Sequence, residues 1–354
     1  MSKRNVDTER PCDEKRTLTE PFSPLDRTDH AHSVEQALRE LGGQPHSTKA
    51  FLRRIRNIEF GHSAEDDCMT ILAWLGNCKF VHKLQQRAYS ADSFAQLQVP
   101  DLLASFHREG RDLLTLIEVK TTKDWFLRWN RDYASKLARY AELLGLPILL
   151  AWRPRRLGMW LLLDATAKHI VRDEKIRVEE ALANNLMGVI AGDFLVTPKP
   201  GLGLHIEGEI VGEKSPTPEG YAAKMRVIDA FLGTKTERHA SLTPGVLWTI
   251  LCAASEEYTE ENKGRISHGF MTPIESPVGN CSAQQILRAL LAWRCSDGER
   301  IAWRHVRADL NRIMTRDQIL QDVTAEIGKT ISYVMHLEPK CVPKFCPAAW
   351  VTKG

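Results

Sequence analysis

Between Asp112 and Thr122 the chain reads DLLTLIEVKTT, and its apolar density belongs to a strand in the middle of a sheet. Two charges of opposite sign sit inside it, Glu118 and Lys120. In a strand, residues i and i+2 point to the same face, so both charges share one side of a buried element. A buried charge without a partner is very costly. The run therefore constrains the fold twice. It demands strands on both sides, and it demands a third charged group beside Glu118 and Lys120.

The preceding stretch offers that group. QVPDLLASF reads as a second extended segment, and its proline suits a strand start or an edge. HREGRD supplies a turn at Glu109–Gly110. Pairing about that turn sets Asp101 opposite Glu118, within a residue or so of register. Two carboxylates at the ends of adjacent strands, with an ammonium beside them, make a donor set for a hard divalent cation such as Mg2+, which prefers carboxylate oxygens and keeps several waters. One such water can become a nucleophile, with Lys120 placed to orient it or to stabilise charge on a phosphate. Glu65 is a further candidate, in the first turn of a helix that Ser63 would cap. A carboxylate there is also favourable for the helix dipole alone, a reading that Asp66 and Asp67 share. The competing reading of Glu118 and Lys120 is a solvent-facing pair, with Asp101 as a surface salt bridge.

Around these residues the pattern is regular. AEDDCMTILAWLG places Met69, Leu72 and Leu75 at helical spacing and stops at Gly76. KFVHKLQQRA alternates as a strand from Phe80. WFLRWNRDYASKLARYAELL, residues 125–144, predicts an amphipathic helix with Leu137, Tyr140, Ala141 and Leu144 inward and Gly145 as its cap. LPILLAW and MWLLLD are buried strands about a turn at PRRLG. Helix, three strands, helix, two strands is an α/β unit with a mixed central sheet flanked by helices.

Residues 1–32 are nearly free of apolar side chains and are expected to be a disordered tail. SVEQALRELGG adds a short helix, so the sheet unit is expected over 33–165. LMGVIAGDFLVTPKPGLGLHIEGEIVGE then predicts a β-hairpin turning at Pro198 to Gly203, an extension over 166–212. EKSPTPE is expected as a linker or exposed loop. Residues 213–354 read as a mostly helical domain, with helices in YAAKMRVIDAFLG, PGVLWTILCAASEEY, AQQILRALLAWR, WRHVRADLNRIM and RDQILQDVTAEIGK, and a strand in ISYVMHLE. The order over 283–337 is compatible with a winged helix, which would set a helix in the DNA major groove near Arg300, Arg304, Arg307 and Arg312, and equally with a generic helical subdomain.

Composition narrows the class further. A chain of 354 residues can bury a sizeable core, and a net charge of +3 says little about partners. No apolar run approaches the ~20 residues of a membrane span. The N-terminus has no apolar stretch after its charges, so a cytoplasmic protein without a secretory signal is expected. Eight cysteines are too sparse for a disulfide scaffold and are expected as reduced thiols. A zinc site on Cys341 and Cys346 would need two more ligands.

Pro100-Asp101 followed by Glu118-Val119-Lys120 resembles the signature of the PD-(D/E)XK nuclease superfamily. GHSAEDDCMTILAWLG, with Gly61, Glu65 and the closing Gly76, is similar to the first helix of archaeal Holliday-junction resolvases and their relatives. KLARYAELLGLPILLAW is similar to the helix and strand that follow their Glu-x-Lys element. The likeness covers about residues 58–165. It implies a restriction-endonuclease-like core in which Asp101 and Glu118 bind Mg2+ or Mn2+, the Val119 carbonyl joins them, Glu65 assists the metal and Lys120 is catalytic. It also implies a polar residue on the following helix, for which Tyr133 and Lys136 are the candidates. The activity implied is metal-dependent endonucleolytic hydrolysis of phosphodiester bonds, of DNA first of all, either junction-resolvase-like or as a restriction or phage-defence nuclease. The alternative is a DNA-binding or assembly protein that keeps a nuclease fold as a scaffold. The C-terminal region would select the target, dock a partner protein or pair subunits in a homodimer.

Nucleic-acid contacts are expected from Arg128, which sits between Trp125 and Trp129, and from Arg153, Arg155 and Arg156 about the PRRLG turn. The two tryptophans could instead pack their helix onto the sheet.

Overall fold

The computed structural model describes residues 64–85, 96–218, 220–239, 242–274, 280–297, 300–301 and 313–350. The tail, the 33–43 helix, the Ser63 cap and the segment 302–312, with Arg304, Arg307 and Arg312, lie outside these residues.

A helix over 64–74 (α1) leads into β1 (Cys78–Lys83), β2 (Leu102–Arg108) and β3 (Arg111–Thr122). There follow β4 (Phe126–Arg128), α2 (Arg131–Leu144), β5 (Ile148–Pro154), β6 (Leu161–Asp164), β7 (Lys175–Arg177) and α3 (Val178–Ala183). The first sheet has the order β1-β2-β3-β5-β6. Only β3 and β5 run parallel, and α2 is the crossover between them, as a parallel pair requires. The sheet is thus mixed, with β3 at its centre. The β2–β3 turn uses Glu109 and Gly110, both at positive φ (51° and 67°), the two-residue hairpin geometry that matches strand twist. That turn locks the register.

Alternation along β3 and β5 builds two cores. Ile117, Val119, Leu149 and Ala151 face α1 and its Cys68, Ile71, Leu72 and Leu75. Leu116, Leu150 and Trp152 face the other way, onto Leu137 and Ala141 of α2. The helix read over 125–144 is shorter than expected. Residues 126–128 pair with β7 instead, and the Asn130 side chain accepts from the amides of Asp132 and Tyr133, which starts the helix at Arg131. Leu144 is 51% exposed rather than inward, and Gly145 closes the helix at φ 65°.

Beyond 165 the chain departs from the reading more strongly. Met187–Ala191 is a π-helical turn, followed by β8 (Leu195–Pro198), β9 (Gly203–Thr217), β10 (Gly220–Gly233) and β11 (Arg238–His239). Next come α4 (Pro244–Ala253), β12 (Glu256–Asn262), β13 (Arg265–Met271), β14 (Cys281–Ser282), α5 (Ala283–Cys295), β15 (Ser296–Asp297), β16 (Arg300–Ile301), α6 (Arg316–Ala325) and β17 (Ile331–Met335). No hairpin joins β8 to β9. The first pairs with β14 and β17, and the second with β10 and β13. EKSPTPE is mostly the far end of β9 rather than a linker. YAAKMRVIDAFLG is β10 rather than a helix. Its side chains alternate, but register shifts between Ala222 and Lys224 and between Val227 and Asp229 break the period of two and leave a spacing that mimics a helix. The 213–354 region is accordingly mixed rather than mostly helical, with a five-stranded sheet in the order β11-β10-β9-β13-β12. The helices read at 244, 283 and 316 are present as α4, α5 and α6, although SEEY opens β12.

One apolar core runs across residue 165. It joins α1 to Val246 and Ile250 of α4, to Ile286, Leu287 and Leu291 of α5, and to Trp350. Among the described residues no helix is long and apolar enough to cross a membrane.

Candidate active site

The hairpin register pairs Leu102 with Ile117, which carries Asp101 to a place opposite Glu118 at the end of β2. The Val119 amide donates to Asp101 Oδ2 at 2.7 Å and fixes that carboxylate against β3. Both acids are deeply placed: Asp101 is 6% exposed and Glu118 is 1% exposed. Glu118 is therefore not part of a solvent-facing pair.

Glu118 Oε1 takes two donors. The Lys120 ammonium bonds to it, and the Tyr133 hydroxyl donates to it at 2.5 Å. Lys120 Nζ also lies 3.4 Å from the Tyr133 hydroxyl oxygen and 5.2 Å from the centre of its ring. Tyr133 reaches the acid because the Asn130 cap sets it in the first turn of α2, directly over the face that carries Glu118 and Lys120. The other oxygen, Oε2, is buried and has no hydrogen-bond partner. A buried carboxylate oxygen left so is expensive, and it is the kind of atom a cation satisfies.

The electrostatics agree with crowding. Burial first, and then the Glu118 charge, push the Asp101 carboxyl up to about 8, against the pull of Lys120 and the Val119 amide. Burial works against the Lys120 charge, yet Glu118 and Asp101 together outweigh it and hold the ammonium above its ordinary value. Burial and then Glu118 hold the Tyr133 phenol protonated far above its usual range, so it remains a donor.

Among the described residues no group of three or more His, Cys, Asp or Glu side chains gathers as a ready-made metal site. A cation here would have two side-chain ligands, Asp101 and Glu118, and would complete its shell with backbone oxygen and water, which Mg2+ tolerates well. Glu65 bears on Asp101 electrostatically from α1, but its Oε2 is 3.0 Å from Lys83 Nζ, which also lies 3.0 Å from Asp66 Oδ1. Lys83 is a residue the sequence reading missed. Only its place on the strand beside β2 brings it to the acids.

The expected nucleic-acid contacts divide. Arg128, Arg155 and Arg156 are exposed. Arg153 is turned inward instead: it and Arg288 of α5 both bond to Asp67 Oδ2, an acid 1% exposed. The Arg153 guanidinium also lies 5.6 Å from the Trp160 ring centre. Burial, with Arg288 and Arg155 nearby, brings Arg153 down to about 9. It ties α1, β5 and α5 together and is not presented to a ligand. Of the two candidates on α2, Tyr133 reaches the acids, whereas Lys136 pairs with Asp132 at 3.1 Å.

Fold and site together define a mixed α/β sheet that buries a carboxylate pair, with an ammonium and a phenol on one acid, at the edge of its central strand. No protein-family model and no curated protein matches the chain. Among solved structures, a similar chain is Hjc, a Holliday junction resolvase from the archaeal hyperthermophile Archaeoglobus fulgidus. It is 23% identical over 34% of this chain and 89% of that one, with a TM-score of 0.27. A likeness at that score carries no functional argument.

Proposed function

We propose that this chain is a metal-dependent nuclease with a PD-(D/E)XK core, hydrolysing phosphodiester bonds of DNA. The observation that carries the reading is Glu118: a buried acid whose one oxygen takes Lys120 and Tyr133, while the other is buried without a hydrogen-bond partner. Asp101 and Glu118 would hold Mg2+ or Mn2+, with the Val119 carbonyl and Glu65 as the further candidates. When bound, such a cation supplies Lewis-acid stabilisation of phosphoryl charge and lowers the pKa of its water. The chain's own residues do the rest. Asp101 and Glu118 present carboxyl oxygens from two locked strands, Asp101 at the start of β2 and Glu118 on β3. Lys120 keeps a compact positive charge at the same point, able to orient a water and to stabilise charge developing on a phosphate. Tyr133 holds Glu118 in one orientation and keeps water from that oxygen.

The scaffold alternative draws on one observation, the absence of a three-acid cluster among the described residues. Calorimetric titration with Mg2+ and Mn2+ separates the two. Saturable binding that is lost in Asp101→Ala and in Glu118→Ala, each still folded, is expected. A protein that takes up neither ion would leave the nuclease reading without its cofactor.

A further inference from the structure

Four tryptophans lie on the strands around the site and the loops between them, and one is treated differently. Trp129, Trp152 and Trp160 are 4%, 0% and 1% exposed, whereas Trp125 is 45% exposed. Trp129 sits edge-on to Tyr133, with ring centres 6.1 Å apart, and so packs α2 onto the sheet. Trp125 is left nearly half exposed. Its backbone is nonetheless held, because its carbonyl accepts from the Val178 amide at 3.0 Å and the next three residues pair with β7. The backbone that carries the indole is thus fixed, and the residue is left nearly half exposed. Trp is highly buried on average, so one left nearly half exposed stands out.

Its own segment and the neighbouring turn are basic, while the acids Glu179 and Glu180 follow Val178. Trp125 lies five residues past Lys120, where β3 leaves the sheet, and Lys123, Arg128 and Arg131 on the same segment are exposed. The turn that carries exposed Arg155 and Arg156 abuts this point, since the Arg155 amide donates to the Thr122 carbonyl at 2.8 Å. Asp124 is the acid within the segment. A phosphate chain crossing this rim would meet exposed cations on the Trp125 segment and on the turn that abuts its start.

An intact duplex buries the faces of its bases and offers only their edges in the grooves. An open aromatic face with cations beside it fits unpaired bases, each of which has a π-face to stack. We propose that Trp125 is a base-stacking platform, and that the substrate is DNA with unpaired bases next to the phosphodiester that is cut: a single strand, an overhang or a frayed end. The substrate half of this inference rests on the nuclease reading; the stacking half does not.

The test measures binding in EDTA at one salt concentration, so that cleavage plays no part. Labelled single-stranded DNA, a blunt duplex and the same duplex with a single-stranded overhang are titrated with wild type, Trp125→Ala and Trp125→Phe. The Ala variant should bind single-stranded and overhanging DNA on the order of tenfold more weakly, as loss of one stacked base implies. Its affinity for the blunt duplex should change by less than about twofold, since phosphate contacts carry that binding. The Phe variant should retain most of the single-strand affinity while losing the tryptophan quenching that single strands produce in wild type. Equal losses on all three DNAs, or no loss on any, would overturn the proposal. Unchanged melting temperature in the Phe variant guards against a folding artefact. Failure of the nuclease reading is seen separately, as wild type that discriminates these DNAs yet cuts none of them with Mg2+ or Mn2+.

Discussion

A carboxylate as deeply buried as Glu118 survives in a fold only with partners, and its partners define what the site can do. Tyr133 is the neutral one. Tyr133→Phe should lower stability by about 1.5 kcal/mol, the range for a hydrogen bond to a charged group, as read by denaturant unfolding. Lys136→Ala, which breaks only a pair with an exposed Asp132, should change it by less than ~0.5 kcal/mol. If the two variants prove equal, the Tyr133 contact is not a real constraint. A second residue gives a pH signature away from the site. Asp193 is buried, accepts from Gln284 and from the Phe194 amide, and burial raises its carboxyl from the ordinary 3.8 to about 6. Between those two values the folded state holds a proton that the unfolded state has released. The contribution of Asp193 to stability is therefore present below about pH 4 and is lost as pH rises through about 6. The melting temperature of Asp193→Asn relative to wild type should climb over that window, and a flat difference would show that Asp193 is ionised in the native protein. At this scale the sequence was informative where a short turn sets geometry. Glu109–Gly110 places Asp101 against Glu118 by local rules alone. It was mute on Arg153, whose acceptor Asp67 is shared with Arg288, 221 residues further along from that acid.

Elements show the same division between local and distant causes. The start of α2 is local: Asn130 caps it, and the cap is what delivers Tyr133 to Glu118. Asn130→Ala should cost about 1 kcal/mol and should weaken divalent-ion binding as well, a coupling that calorimetry can read and that a cap acting on stability alone would not show. Helix α1 is held by a distant cause, the Asp67 carboxylate between two guanidiniums. Asp67→Ala leaves both charges behind and should cost about 3 kcal/mol or more. A small loss would mean that solvent already serves those arginines. β10 was misread as a helix because two irregularities interrupt its alternation. Partner strands β9 and β11, not the segment itself, decide its conformation.

For the whole molecule, the shared core matters most. α1, which covers one face of the first sheet, shares one apolar core with α4, α5 and Trp350, and is tied to α5 through Asp67 and Arg288. The sequence reading bounds a unit at 165 by a change of rhythm, and rhythm says nothing about which apolar faces meet. A fragment ending at residue 165 should therefore expose apolar side chains of α1 and fail to show a cooperative thermal transition, whereas the full chain should show one. A cooperative fragment would restore the independent unit. The central claim is that the charges on β3 are chemical and not merely structural, and one measurement reaches it directly: the rate of DNA cleavage by wild type and by Lys120→Met, with Mg2+ present and with it chelated. Wild type should cut only with the ion, and the Met variant should be slower by a factor on the order of 10²–10³ while still binding DNA. Cleavage by the Met variant at close to the wild-type rate would contradict the account.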